Sequence, residues 1–244
     1  MPYELIPFPT PAALAEDVAR RLRERISGAA SSYRNSGFNL ALSGGRIAND
    51  LFRAVVDQER AGGMASAWNT VNFFWADERC VPPDHADSNF RAASELMLHP
   101  LGVAPERIHR IEGELSPEEA ARRAGEALRA RSRAMASGMP VVDLVLLGMG
   151  EDGHIASLFP EAPGSVVESD QPFTNVIGPK PPPRRVTMTY SLLRAATEVW
   201  VLASGEGKEN ALRKSLKNGR ITPLGVLLDS RDAVLFSSIP LGPE

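Results

Sequence analysis

The stretch VVDLVLLGMGEDGHIASLFP, Val141–Pro160, decides the reading of this chain. Its first half is apolar at successive positions, as in a strand covered on both faces by helices. Its second half spells G-x-G-x-x-G with Gly148, Gly150 and Gly153, the pattern of a dinucleotide-binding turn. Such a turn needs a helix that opens at the third glycine and points its N-terminus at the pyrophosphate. Here His154–Pro160 is followed by Pro163 and Gly164, so any helix is held to roughly two turns. An acidic residue, Glu168 or Asp170, falls near the offset that a ribose contact would use, but such a match is common. The glycines are better explained as a tight loop that presents His154.

Outward from this stretch, strands and helices alternate. Candidate strands are Phe38–Leu42, Val71–Trp75, Val142–Leu147, Val199–Ala203 and Ala233–Phe236. Thr10–Pro11 reads as a helix cap followed by proline in the first turn. Leu14, Val18, Leu22 and Ile26, widened by Ala15 and Ala19, give that helix an apolar stripe ending near Gly28. Further helices are expected over Ile47–Asp57, Asn89–Leu98, Pro117–Ala134 and Lys208–Lys217. The alternation predicts a three-layer α/β/α fold: a mostly parallel, Rossmann-like sheet with helices on both faces. The 244 residues suit a single α/β domain over 1–244, with Pro179–Pro183 as a stiff loop and not a linker.

The net charge of −3, with no long basic run, argues against a nucleic-acid partner, although a small anion needs only a few placed cations. No stretch approaches the roughly 18 apolar residues of a membrane span, and charges interrupt the apolar core that a signal peptide would need near the N-terminus. Cys80 is the single cysteine, which fits a reducing, cytoplasmic location. Arg79 beside it would favour a thiolate, yet with Val81–Pro82–Pro83 following, Cys80 reads as non-catalytic.

The residues with chemistry in them gather after strands, where ligands of open α/β sheets bind. Ser43–Gly44–Gly45 follows the first strand as a candidate phosphate cradle, with backbone N–H groups and the serine hydroxyl as donors. Asp77–Glu78–Arg79 follows the second; Arg79 suits carbonyl polarisation, and Asp77 proton acceptance or water orientation. His154 suits general-base work, with Asp152 close enough to influence it. Lys208, placed in a first helical turn, opposes the helix dipole, a cost that a bound phosphate would offset. Arg184 and Arg185 follow stiff prolines and are candidate anion grips. Asp84, His85 and Asp87 suggest a metal only weakly; a helix cap at Asp87 or Ser88 is the plainer reading.

Taken together, LALSGG (40–45), FFWADERCVPPDHADSNF (73–90), DLVLLGMGEDGHIASLFP (143–160), GPKPPPRRVTMTYSLLRAA (178–196) and GEGKENAL (205–212) resemble the 6-phosphogluconolactonase family, within the larger group of glucosamine-6-phosphate deaminases. The resemblance implies hydrolysis of 6-phosphoglucono-δ-lactone, a phosphosugar lactone, without a required cofactor or metal. It implies phosphate binding by Ser43, Gly44, Gly45, Arg185 and Lys208. It also implies catalysis by His154, Arg79, Asp77 and Asp152. Deaminases of the group carry a glutamate five residues after the histidine, where this chain has Phe159. Arg46 departs from the hydroxyl residue usual after SGG, so its place, on phosphate or in solvent, is open. A deaminase or isomerase of the same group, and a non-catalytic sugar-phosphate sensor, are the competing readings.

Overall fold

The computed structural model describes residues 3–29, 37–62, 66–160, 169–217 and 221–241. Strand β1 (Tyr3–Pro7) leads into α1 (Pro11–Ala29). Thr10 Oγ1 accepts the Ala13 N–H at 3.1 Å, so the expected cap is made. The stripe from Leu14 to Ile26 is buried as its spacing predicts. Then come β2 (Phe38–Leu42), α2 (Arg46–Gly62), β3 (Val71–Trp75) and β4 (Asp77–Arg79). Helix α3 (Asn89–Ala93) relaxes into a π-helical turn over Ser94–Leu98. Helix α4 (Pro117–Arg131) stops short of the expected Ala134. There Ser132 turns extended and the chain forms a hairpin, β5 (Met135–Ala136) and β6 (Met139–Pro140). The remaining elements are β7 (Leu144–Gly148), β8 (Phe173–Ile177), β9 (Arg184–Met188), α5 (Tyr190–Ala195), β10 (Glu198–Ala203), α6 (Glu209–Lys217), α7 (Pro223–Ser230) and β11 (Ala233–Ser237).

The central sheet has the order β1-β11-β10-β7-β2-β3, and every neighbouring pair is parallel. Every residue of β2 and β3 is buried, as a sheet covered on both faces requires. Crossovers from β1 to β2 to β3 run toward one edge. Those from β3 to β7, β10 and β11 run back. Right-handed crossovers therefore put α1 and α2 on one face and α4 to α7 on the other. The direction reverses between β2 and β7, and the loops leaving those two strands diverge there, opening a crevice. That switch point is where both Ser43–Gly45 and the His154 loop begin.

A second, antiparallel sheet, β4-β9-β8, was not expected from the sequence, nor were β1, α5 and α7. One residue joins the two sheets. Ala76 donates its N–H to Leu42 O at 2.8 Å and accepts the Met188 N–H at 2.7 Å. The Pro179–Pro183 segment is the connection between β8 and β9.

Candidate active site

A cleft of about 550 Å³ opens at the switch point. Ser43, Gly44, Gly45, Arg46, Asp77, Arg79, His154, Arg185 and Lys208 all line it. Asp152 does not; it holds His154 from behind. The expected residues therefore come together from strand ends far apart in sequence.

His154 carries the most specific geometry. Its Nδ1 lies 2.5 Å from Asp152 Oδ1, which also accepts the His154 backbone N–H at 3.1 Å. Burial raises the Asp152 carboxyl, but the hydrogen bonds and charge of His154 outweigh it and hold the carboxyl at about 2. An ionised carboxylate only accepts, so the contact puts the proton on Nδ1 and leaves the Nε2 lone pair for a ligand or water. Gly150 makes room for the ring: a β-carbon there would lie 2.1 Å from Nδ1 and Cε1. Gly153 turns the chain at φ 82°. No helix opens over 154–160, which removes the element that a dinucleotide site needs. Pro163, Gly164 and Glu168, invoked in that test, lie outside the described residues.

The short strand β4 sorts its side chains by alternation. Asp77 pairs with Thr187 and Arg79 with Arg185 across β9, so all four share one face of the small sheet. Glu78 points the other way and is buried; its carboxylate accepts the N–H groups of Arg79, Asn89 and Phe90 and the Ser88 hydroxyl. Burial raises the Glu78 pKa despite those donors. Asp77 is buried too. Its Oδ2 accepts from Ser157 Oγ at 2.6 Å and its Oδ1 from Asn89 Nδ2 at 3.3 Å. With both oxygens engaged, Asp77 is placed to position neighbours more than to move a proton. Arg79 is anchored by Nη1 on Asp87 O at 2.8 Å, and its Nε is buried without a partner. Alternation also separates the two candidate arginines of β9: Arg185 is buried in the cleft wall and Arg184 is exposed outside it.

The other end of the cleft is basic. Arg46 is the first residue of α2, and Gly45 before it takes φ 103°, a conformation that favours glycine. Lys208 caps α6, its carbonyl accepting the Leu212 N–H at 2.9 Å; the helix itself starts one residue later than expected, at Glu209. A β-carbon on Gly205 would lie 3.7 Å from Arg46 Nη2 and 3.9 Å from Lys208 Nζ, so the two cations converge there. Arg46 thus faces the cleft. Burial lowers the Lys208 pKa, the Arg46 charge lowers it further, and Glu151 opposes them. Two cations at two helix N-termini make a strongly anion-seeking corner. One expected donor is committed elsewhere: the Ser43 hydroxyl donates to Leu146 O at 2.9 Å, tying β2 to β7.

Two subsidiary readings are sharpened. Burial raises the Cys80 thiol pKa, the Glu78 charge adds to this, and Arg184 only partly opposes it, so Arg79 does not make a thiolate there. Ser88 is the cap of α3, its Oγ accepting the Arg91 N–H at 3.1 Å, while Asp87 pairs locally with His85. Sequence reasoning missed Asn89 and Ser157. The cap serine gave a signal for Asn89, since the residue after a cap opens the helix; Ser157 gave none. Gly44 exists for Asn89, whose Oδ1 lies 1.9 Å from where a β-carbon would sit.

The family profile described as glucosamine-6-phosphate isomerases/6-phosphogluconolactonase matches residues 9–235. The chain is 37% identical over 221 residues to 6-phosphogluconolactonase of Homo sapiens, covering 89% of this chain and 81% of that one. It is 36% identical over 222 residues to a probable chloroplastic 6-phosphogluconolactonase of Oryza sativa subsp. japonica, covering 88% of this chain but spanning only 66% of the rice protein. A crystal structure of 6-phosphogluconolactonase from Thermotoga maritima shares the fold with a TM-score of 0.78 and 26% identity, covering 96% of this chain and 98% of that one.

Proposed function

Because the chain belongs to the glucosamine-6-phosphate isomerase/6-phosphogluconolactonase family, we propose that it is an enzyme hydrolysing 6-phospho-D-glucono-1,5-lactone to 6-phospho-D-gluconate, the second step of the oxidative pentose phosphate route. The observation that carries this reading is the His154–Asp152 pair at 2.5 Å in a cleft whose far corner holds Arg46 and Lys208. The corner takes the 6-phosphate, helped by the backbone of Ser43, Gly44 and Gly45. That leaves the lactone carbonyl toward His154. His154 Nε2 takes a proton from water as the water oxygen bonds to C1. The carbonyl electrons move onto oxygen, beside Arg79. Collapse breaks the C1–ring oxygen bond, and the imidazolium returns its proton to the ring oxygen. Asp152 holds the tautomer throughout, and Asp77 fixes the Arg79 wall through Ser157 and Asn89. No step calls on a metal or cofactor.

Phe159 supports the lactonase branch over the deaminase branch, since a phenyl ring stands where ring opening and isomerisation would use a carboxylate. The single cysteine supports a reducing, cytoplasmic location, and no helix among the described residues is long and apolar enough to cross a membrane. We treat the chain as one domain because its first and last strands pair in one sheet.

The test is lactone hydrolysis followed by pH-stat and corrected for spontaneous opening. His154→Ala is expected to lose roughly 10²–10⁴-fold in kcat while still binding 6-phosphogluconate. Unchanged kcat in that variant, or ammonia release from glucosamine 6-phosphate by the wild type, overturns the reading.

A further inference from the structure

Besides Lys180, which pairs with Glu151 at 3.6 Å, two pairs of cations line the cleft, one at Gly205 and one across β4 and β9. Arg46 and Lys208 converge over Gly205. Arg79 and Arg185 stand directly opposite each other across β4 and β9. Like charges in that register repel, so the second pair costs stability unless an anion joins it. No carboxylate forms a salt bridge with either arginine among the described residues; Asp77 and Asp87 act on Arg185 only as neighbouring charges. Arg185 instead donates Nε to Pro182 O at 3.2 Å and Nη2 to Lys180 O at 3.3 Å. Arg79 donates Nη1 to Asp87 O and leaves Nε buried and unpartnered. The nearest carboxylate on their face, Asp77, is already occupied by Ser157 and Asn89. Both guanidinium groups are therefore held in place by backbone carbonyls with charge and donors to spare.

The second pair is also the one beside the base. The Phe159 ring lies 4.9 Å from the His154 ring on one side and 5.6 Å from Arg185 Cζ on the other. The phenyl ring, tilted 53° to the imidazole, thus stands between Arg185 and His154. A β-carbon at Gly178 would crowd both Arg185 Nε and Phe159 at 3.0 Å, so the glycine is part of the same fit. The charges acting on Arg185 are those of Arg79, Asp77 and Asp87, whereas those acting on Lys208 are Arg46 and Glu151.

We infer that Arg79 and Arg185 form a second anion subsite, at the reacting end of the cleft, which takes the carboxylate of a 6-phospho-aldonic acid and, before it, the oxyanion from which that carboxylate arises. The inference rests on the lactonase reading and moves Arg185 from the phosphate, where it was expected, to C1. Its chemistry is bidentate guanidinium–carboxylate recognition. It follows that the product is held at both ends, by phosphate and by carboxylate.

Two ligands separate the subsites. 6-Phosphogluconate carries phosphate and carboxylate; glucose 6-phosphate carries the phosphate alone. Dissociation constants for both are measured by calorimetry on the wild type, Arg185→Gln, Arg185→Lys and Lys208→Gln, with melting temperatures as a folding control. The wild type is expected to prefer 6-phosphogluconate. Arg185→Gln should weaken 6-phosphogluconate by roughly tenfold or more and glucose 6-phosphate by less than about twofold. Arg185→Lys, which keeps the charge but not the fork, should retain part of the preference. Lys208→Gln should weaken both ligands alike. Equal loss of both ligands in Arg185→Gln puts Arg185 on the phosphate and overturns the inference, as does no loss of either. Failure of the wild type to bind either sugar phosphate overturns the lactonase reading as well, a result distinct from the first two.

Discussion

Gly150→Ala isolates the base from the rest of the cleft. The added methyl would sit 2.1 Å from His154 Nδ1 and Cε1 and 2.8 Å from Cγ, where ordinary contacts start near 3.4 Å. The ring must retreat by roughly 1 Å or more, and the face it retreats from is the one bonded to Asp152 at 2.5 Å. Losing that bond frees the tautomer and misplaces Nε2. A positioned general base is worth about 10²–10⁴-fold, or roughly 3–5 kcal/mol of barrier. The expected loss in kcat is therefore about 100-fold or more. Stability should change far less. The His154 side chain is 30% exposed, so the ring has solvent to swing into, and relief of this kind of overpacking costs about 1 kcal/mol. In a chain of this size that is a shift of roughly 2–4 °C in Tm. Lactone hydrolysis by pH-stat, thermal melts and calorimetric binding of 6-phosphogluconate are measured on one preparation. Gly102→Ala is the steric control, because nothing lies within 4 Å of its β-carbon, only the positive φ is penalised, and the residue does not line the cleft. A Gly150→Ala enzyme with kcat within threefold of wild type would refute the assignment of His154 as base in this rotamer.

Other outcomes follow from the same geometry. Lys208→Ala should raise KM for the lactone by roughly tenfold or more with a smaller change in kcat, since Lys208 converges with Arg46 over Gly205 and makes no contact with the His154–Asp152 pair; an unchanged KM places the phosphate elsewhere. Asp152→Asn should lower kcat by about 10²-fold or more while Tm stays within a few degrees, because the Asp152 side chain is 42% exposed and carries no core packing; wild-type turnover in this variant removes Asp152 from the mechanism. His109 has its pKa lowered to about 4 by burial and by the charges of Arg131 and Arg107. The folded state therefore favours neutral His109, and the associated stability, present above the ordinary value of 6.5, is lost as pH falls toward 4. Denaturant melts should show wild type losing about 1–2 kcal/mol more than His109→Phe between pH 7 and pH 4.5; parallel losses refute it. Leu40→Ala, at a fully buried position of β2, should cost roughly 2–5 kcal/mol in the same melts.

Much of the fold is legible because local chemistry and tertiary demand agree. The stripe from Leu14 to Ile26 fits a 3.6-residue period and nothing else, and the Thr10 cap starts it. The apolar runs of β2, β3, β7 and β10 read as buried strands because both faces are covered. The small sheet was not legible. β4 is only three residues, DER, and looks like a charged loop until β9 lies beside it. β8 alternates weakly, and its partner is defined by register, which the sequence does not encode locally. β1 is mostly exposed and so carries little pattern. The same holds in the site. Lys208 and Arg46 were each ambiguous between solvent and ligand, since one cation at one helix start looks like any other. Their meeting over Gly205 depends on α2 and α6 starting at the same cleft.

The sequence by itself determined the layer architecture and the set of polar groups at the strand ends, because periodicity and glycine placement act over a few residues. Only the tertiary structure decided how those groups divide. It tied the Ser43 hydroxyl to Leu146, turned Glu78 inward to α3, and turned Asp77 and Arg79 to the cleft. It also set Arg185 opposite Arg79 and against Phe159, not beside Lys208. The physical reason is that antiparallel register and the order of parallel strands fix which distant side chains share a face, and no local preference in the chain records either.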